Sequence, residues 1–299
     1  MYDTIIVGAG VAGLGAAMYS GRFGLKTLLI GETMGGTIIL TDTVENYPGF
    51  KKLTGMELAD KLKEHALEYD VEVKEQKVVD IEKKEDGFVV KTAKEEFETK
   101  TVIYATGTKV KKLGAKGEEE FSNKGVHYCA LCDGPVYQDK VIGIIGGSDS
   151  AAKEALLLTQ YGKKVYIIYR KEKIRPEPIN AERVDKNDKI EIINNTNVVE
   201  IKGDKFVESV VLDKEYKGSK ELKLDAVFIE IGHIVLTDLA KKLGVELNKK
   251  NEIIIDREAK TNLSGFFAAG DCVDTVFKQA ITGVGEAVSA AYSAYQYVK

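Results

Sequence analysis

Two cysteines separated by two residues, Cys129-Ala130-Leu131-Cys132, followed at once by Asp133, carry the most chemistry in this sequence. A pair at that spacing can close a small disulfide ring and reopen it. A turn entering a helix lowers the pKa of one thiol, so that it attacks as a thiolate. Asp133 stands where it can pass a proton to a departing thiolate, which two-electron exchange requires at neutral pH. A zinc site and an inert structural bridge are the two competing readings. Zinc wants four ligands, and the sequence offers beyond this pair only Cys272, His65, His127 and His233, with no second paired motif. An inert bridge fits a secreted protein better than a cytosolic one. Cys272 follows an apolar strand in Ala269-Gly270-Asp271-Cys272 and reads as a small buried hydrophobe. His127, two residues before Cys129, either tunes that thiol or packs beside the turn.

Two glycine turns could hold nucleotides. Gly8-Ala9-Gly10-Val11-Ala12-Gly13 follows an apolar strand and opens a helix. Gly8 permits the tight turn, Gly10 lets the backbone approach a pyrophosphate, and Gly13 allows close packing of helix on strand. The anion then rests on the positive helix end. Glu32, 19 residues past Gly13, either accepts hydrogen bonds from ribose hydroxyls or is a solvated loop acid. The second turn, Gly146-Gly147-Ser148-Asp149-Ser150-Ala151, has serine in the middle glycine's place. Downstream, Tyr169-Arg170-Lys171-Glu172-Lys173-Ile174-Arg175 puts positive charge where a 2′-phosphate would lie, favouring NADPH over NADH; a solvated basic loop is the plain alternative.

The elements that position these residues follow from apolar runs. Ile5 to Val7, a helix, and Leu25 to Ile30 make the opening of a parallel α/β sheet. Ala59, Leu62, Ala66 and Tyr69 recur at helical spacing between Met56 and Tyr69. Short β-type runs within 71–104 predict an antiparallel insert. The first pattern then recurs: Val141 to Ile145, the second glycine turn, a helix over 151–161 and a strand over 164–169. Further strands are predicted at 190–193, 196–202, 206–212 and 225–229, a hairpin at 252–255, and a long small-residue helix from about Lys278 to Val298 that packs on the start of the chain.

Composition removes other classes. The chain has 299 residues, 44% of them hydrophobic, enough for about two domains. Its net charge of −4 offers no polyanion footprint, so nucleic acid is not an expected partner. Thr4 to Gly21 is uncharged, but its glycines and Asp3 argue against a signal peptide or membrane span. Three cysteines fit a reducing cytoplasm.

Taken together, the sequence resembles the low-molecular-weight thioredoxin reductases over essentially its whole length. The likeness rests on Gly8 to Leu14, Gly35-Gly36, Val44-Glu45-Asn46-Tyr47-Pro48-Gly49, Ala105-Thr106-Gly107, and Cys129 to Gly134. It continues with Gly232-His233, Ala268-Ala269-Gly270-Asp271 and Gln279-Ala280-Ile281-Thr282. The resemblance implies an α/β fold of two Rossmann-like three-layer domains: a split FAD domain (1–113 and 241–299), with the NAD(P) domain carrying the cysteines (114–240) inserted in it. It implies a homodimer that passes electrons from NADPH through FAD to the cysteines and on to thioredoxin or a glutaredoxin-like protein. FAD contacts would come from Gly8, Gly10, Gly13, Glu32, Gly36, Asn46, Thr106, Gly107, Asp271, Gln279 and Ala280. Gly146, Gly147, Ser148, Asp149, Ser150, Arg170, Lys171 and Arg175 would serve the nicotinamide nucleotide. Cys132 would face the flavin, Cys129 would attack the acceptor, and Asp133 would be the acid.

The chain departs from the family's pattern at the phosphate run, usually His-Arg-Arg but here Tyr169-Arg170-Lys171, and at Ser148, Val235-Leu236 and Thr37. Lysine does not reproduce arginine's planar fork, which bears on the choice between NADPH and NADH. The rival readings are a flavin dithiol oxidase, a ferredoxin-fed disulfide reductase, and a non-catalytic flavoprotein that senses redox state.

Overall fold

The first apolar run forms strand β1 (Tyr2–Val7), and helix α1 (Val11–Arg22) returns the chain to β2 (Thr27–Ile30), whose four residues are all buried. Strands buried on both faces must lie inside a parallel sheet covered by helices, and β1 pairs in parallel with β2. Helix α2 (Gly55–Leu67) starts at a capping box in which Thr54 and Glu57 satisfy each other's backbone N–H groups. It stops at Leu67, so Tyr69 lies beyond it, where its hydroxyl accepts a hydrogen bond from Arg22.

The computed structural model describes residues 1–299. Strands β3 (Val71–Lys74), β4 (Val78–Lys84), β5 (Gly87–Thr92) and β6 (Glu96–Tyr104) complete most of the first sheet, ordered β3-β2-β1-β6-β5-β4. The expected antiparallel insert is therefore only partly present. β4, β5 and the start of β6 form an antiparallel meander, whereas β3 pairs in parallel with β2 and the buried end of β6 pairs in parallel with β1. Short apolar runs carry no label for their partner, so pairing direction was beyond the local pattern.

A short strand β7 (Thr108–Val110) leads out of this unit. The second unit begins with β8 (Val126–His127), the one-turn helix α3 (Ala130–Asp133), β9 (Val141–Gly146), α4 (Asp149–Leu158), β10 (Lys164–Ile168), α5 (Pro178–Asp185) and β11 (Ile190–Ile193). Strands β12 (Val198–Gly203), β13 (Val207–Tyr216) and β14 (Ser219–Lys223) make a separate antiparallel sheet. β15 (Ala226–Glu230) returns to the parallel sheet, giving the order β11-β10-β9-β15-β8. Its core joins Ile142, Ile144, Val165, Ile167 and Phe228 to Ala151, Ala155 and Leu158 of α4.

The chain re-enters the first unit through β16 (His233–Val235), α6 (Asp238–Lys242), β17 (Phe266–Ala268) and α7 (Ala280–Val298). Two compact units result, one of residues 1–109 and 235–299, the other of 110–234. The sequence had placed the second crossing at 240/241, inside α6, but Ala240 is fully buried in the first unit's core beside Ile253 and Val273. The expected hairpin at 252–255 is not a regular strand pair; Ile253 instead makes isolated bridges to Leu247 and Val273. β17 extends the first sheet beside β6. Helix α7 lies on α1 through small residues, Ala287, Ala290, Ala291 and Ala294 against Ala16 and Ala17, with the Phe23 and Tyr295 rings stacked 4.9 Å apart. No helix is long and apolar enough to cross a membrane.

Candidate functional site

In the first unit the residues converge on the start of α1. Gly8 has φ +112°, and a Cβ there would lie 2.2 Å from the Ala105 carbonyl oxygen, so only glycine lets β1 turn beneath the end of β6. Gly10 is the N-cap of α1 and offers no side chain to the helix's open N–H groups. A second glycine turn, Gly35-Gly36, lies against it: Gly35 N–H donates to the Ala9 carbonyl at 2.8 Å, and a Cβ on Gly36 would come within 2.9 Å of the Gly10 Cα. Backbone donors, a positive helix end and no side chains make a cradle that fits a pyrophosphate. Glu32 is exposed beyond β2, its carboxylate 3.7 Å from Lys77.

Residues far apart in sequence meet in the same unit. Asn46 Nδ2 donates to Gln279 Oε1 at 2.9 Å, bridging 233 residues. Ala280 packs beside Val44, Leu53 and Leu58. Thr106 Oγ1 donates to the Leu236 carbonyl at 2.7 Å, while Leu236 N–H donates to Gly107 O at 3.0 Å, fixing that loop. Asp271 is half-buried, and the loop carrying it is held by two residues that sequence reasoning had not singled out. Lys278 Nζ donates to the carbonyls of Asp271 and Val273 and faces Glu252 at 3.2 Å, and Glu286 accepts the Gly270 N–H at 2.9 Å. A basic residue just before Gln279 was the available signal. Cys272 is fully buried, and burial pushes its thiol up to about 11, so it is no nucleophile.

The second unit's glycine turn is built differently. A Cβ on Gly147 would lie 2.4 Å from the Tyr169 ring, and Tyr169 is buried against the turn rather than exposed with the cations. Ser148 Oγ accepts the Ala151 N–H at 3.4 Å and so caps α4. The Asp149 carboxylate accepts from Glu177 N–H and Asn180 Nδ2, both at 2.8 Å, which ties down the loop after the basic run. Arg175 N–H donates to the Gly147 carbonyl at 2.7 Å, bringing that run beside the turn, with Arg170, Lys171 and Arg175 exposed and Ser150 exposed at the helix start. A glycine turn flanked by exposed cations fits a phosphorylated nucleotide.

The same unit holds the cysteine pair. Cys129 and Cys132 form a disulfide with Cα atoms 5.4 Å apart. Cys129 is the N-cap of α3, and its Sγ accepts the Cys132 N–H at 3.1 Å. The same N–H would stabilise a Cys129 thiolate after reduction. Cys129 is only 7% exposed in the disulfide state, whereas Cys132 is exposed. Asp133 N–H closes the turn on the Cys129 carbonyl at 3.1 Å.

Behind the pair, buried His127 stacks on Phe228 with ring centres 5.2 Å apart. Its Nδ1 lies 3.1 Å from Asp133 Oδ2 and its Nε2 lies 2.7 Å from the Tyr137 hydroxyl. Burial holds the imidazole below its ordinary range against the pull of Asp133, and burial with the charges of Asp133 and Asp225 pushes Tyr137 up to about 12. Two further groups were missed by sequence. Glu118, 2% exposed, accepts from Tyr128 OH at 2.6 Å and from Leu113 and Gly114 N–H, anchoring the segment before the pair. Glu154 on α4 accepts the Ala130 N–H, and burial together with neighbouring Glu230 raises its carboxyl far above the usual range.

Residues 2–287 match the model of the pyridine nucleotide-disulphide oxidoreductase family. The thioredoxin reductase of Listeria innocua is 38% identical, covering all of this chain and 94% of its own length. That of Treponema pallidum is 38% identical over 99% of this chain and 97% of its own. The crystal structure of Lactococcus lactis thioredoxin reductase in its FR conformation superposes with a TM-score of 0.95 at 39% identity, covering 100% of this chain and 99% of that one.

Proposed function

The chain belongs to the pyridine nucleotide-disulphide oxidoreductase family, and from that premise we propose that it is a flavoenzyme using NADPH to reduce thioredoxin or a thioredoxin-like disulfide protein. The observation that carries the reading is Cys129 at the N-cap of α3, disulfide-bonded to Cys132 and receiving its N–H. An inert bridge has no need of a donor aimed at one sulfur.

FAD would be held in the first unit. Gly10 and Gly36 would leave room for its pyrophosphate, Gly8 and Gly13 let the strand and helix behind it pack closely, and Asn46, Thr106, Gly107, Asp271, Gln279 and Ala280 would contribute from other segments of the same unit. Bound there, the flavin would take two electrons from a reduced nicotinamide nucleotide and pass them to a disulfide. The nucleotide would rest on Gly146 to Ser150, with Arg170, Lys171 and Arg175 meeting its 2′-phosphate as charges rather than through buried contacts.

The chain's own part in the chemistry is sulfur and proton management. Opening the Cys129–Cys132 bond would give Cys132 the role of the sulfur that exchanges electrons with the flavin and leave Cys129 as the thiolate stabilised by its helix. Cys129 then attacks the acceptor disulfide, forming one S–S bond as another breaks, and Asp133 supplies the proton that the departing sulfur takes. Cys132 attacks Cys129 in turn, which restores the ring and releases a dithiol acceptor. The buried position of Cys129 requires the turn to open when the ring does. The relatives at about 38% identity support thioredoxin as the acceptor class, and the working form would be a homodimer in a reducing cytoplasm.

An anaerobic titration of the purified protein with NADPH and separately NADH, following flavin absorbance and free thiols together, tests this reading. NADPH should bleach the flavin and expose two thiols per chain, with steady reduction of thioredoxin disulfide that Cys129→Ser and Cys132→Ser abolish. Bleaching by neither nucleotide would remove the proposed donor and leave a ferredoxin-fed reductase or a dithiol oxidase.

A further inference from the structure

We propose that His127 is a positioning residue for the acid Asp133, with Tyr137 setting its tautomer. The proposal rests on the reading of Asp133 as the acid and adds what holds it.

Packing alone does not account for His127. His127 ends β8 with its side chain 5% exposed, stacked on Phe228, and both ring nitrogens face polar atoms. Nε2 lies 2.7 Å from the Tyr137 hydroxyl, and Nδ1 lies 3.1 Å from Asp133 Oδ2. The second separation is that of a hydrogen bond, although its alignment in the disulfide state is not. Catalytic hydrogen bonds commonly align only as the reaction proceeds.

Electrostatics then chooses the tautomer. Burial keeps the ring neutral and keeps Tyr137 protonated. A neutral imidazole has one donor and one acceptor. A lone pair on Nδ1 would face the carboxylate oxygen and be repelled, so the proton belongs on Nδ1 and the Tyr137 O–H donates to Nε2. The other ionisable groups close by do not reverse this. Asp225 acts on Tyr137 and is itself paired with Lys140 at 3.3 Å, and Glu154, on the helix packed against α3, is taken up by the Ala130 N–H.

With Nδ1–H facing Oδ2, the transferable proton of the acid form resides on Oδ1. When the acceptor's departing sulfur takes that proton, the carboxylate left behind is met by a donor already in place. The imidazole itself neither gains nor loses a proton in the step. His127 therefore lowers the cost of the charge that Asp133 acquires.

The test uses two disulfides that differ in their need for an acid. The holoenzyme is reduced anaerobically with dithiothreitol, freed of reductant, and mixed in stopped flow with either hydroxyethyl disulfide, whose leaving thiolate is basic, or dithiobis(nitrobenzoate), whose leaving thiolate needs no proton. Asp133→Asn should slow the first about a hundredfold and leave the second near wild type. His127→Gln, which keeps a partner for Tyr137 but withdraws the donor from Asp133, should slow the first about tenfold. His127→Asn, whose amide nitrogen falls near the place of Nδ1, should restore it to within about threefold. Equal rates for wild type and His127→Gln with hydroxyethyl disulfide, while Asp133→Asn is slow, would overturn the role of His127 and leave the acid intact. So would equal slowing of both disulfides by His127→Gln, the mark of a structural residue. If Asp133→Asn itself reacts normally with both reagents, the acid assignment fails, and the histidine's role with it.

Discussion

The two glycine turns share a strand, a tight bend and a helix, yet the helices begin in opposite ways. At α1 the N-cap is Gly10 with no side-chain acceptor, and the first turn holds no acidic residue. At α4 the N-cap is Ser148, whose oxygen accepts a backbone N–H, and Asp149 places a carboxylate in the first turn. The first helix leaves its positive end to be completed by an outside anion, whereas the second already answers part of its own field. On the proposed reading, one motif would serve two ends: a cradle for a resident group and a platform for a visiting one.

The hardest blow to the first cradle is Gly8→Ala. Its Cβ would enter the Ala105 carbonyl at 2.2 Å in a left-handed conformation, and the expected loss exceeds about 4 kcal/mol in urea unfolding, with no flavin retained. Gly10→Ala separates folding from binding, because the nearest atoms to its Cβ are 3.8 Å away. Stability of the flavin-stripped protein should change by no more than about 0.5 kcal/mol, while flavin affinity falls. If Gly10→Ala keeps full affinity, the open helix start is not where the pyrophosphate sits.

Removing flavin comes next in size. Returning FAD in a thousandfold excess over its Kd should stabilise the stripped protein by about 4 kcal/mol, and a nicotinamide nucleotide at the same concentration by less than about 1 kcal/mol. Thermal unfolding of the stripped protein with each ligand measures both. Equal shifts would erase the contrast between resident and visitor.

The second unit carries a pH sensitivity with no counterpart at the first cradle. Half-buried Glu154 lies beside buried Glu230, and desolvation raises both, Glu154 to about 9 and Glu230 to about 7. A carboxyl whose pKa is raised on folding binds more protons folded than unfolded. Its contribution is fully present below the ordinary glutamate range and is lost as pH rises through about 7 and then about 9. Urea midpoints taken from pH 5 to pH 9 should fall, more steeply below about pH 7 than above it, and Glu154→Gln should flatten the slope. A flat wild-type profile would show that the pair opens to water.

Sequence and structure agree best where the information is local. The two glycine turns were legible because each strand, bend and helix lies within about thirty residues. The cysteine turn was legible for the same reason. Pairing direction within 71–104 was not, since β3 and the end of β6 are apolar runs like any other until they find β2 and β1. Asn46 and Gln279 could be brought to one site only by resemblance, because no local pattern joins residues so far apart. His127 stayed ambiguous because its meaning depends on Asp133 and Tyr137 arriving at its two nitrogens, which takes the folding of α3 and the turn after it. Glu154 and Glu230 each look solvated in sequence, and only the packing of α4 on the sheet brings them together out of bulk water.

The smallest expected effect tests the contrast at a single atom group. Ser148→Gly removes the cap of α4 and gives the second turn the middle glycine that the first has. Glycine is a tolerable N-cap, so the unit should lose only about 0.3 kcal/mol. Its freed N–H groups and the missing side chain should draw the nucleotide phosphate closer, and the Kd for NADPH should fall about threefold, the factor that ~0.7 kcal/mol at a helix end represents. NADH should gain equally, because the change lies at the pyrophosphate and not at the exposed cations Arg170, Lys171 and Arg175 that would meet the 2′-phosphate. Titration calorimetry on the holoenzyme with NADP+ and NAD+, which carry the same pyrophosphate and 2′ groups, reads the same contrast without turnover. A gain for NADPH alone would place Ser148 near the 2′-phosphate instead, and weaker binding of both nucleotides would mean that the serine hydroxyl, besides capping α4, donates to the phosphate itself.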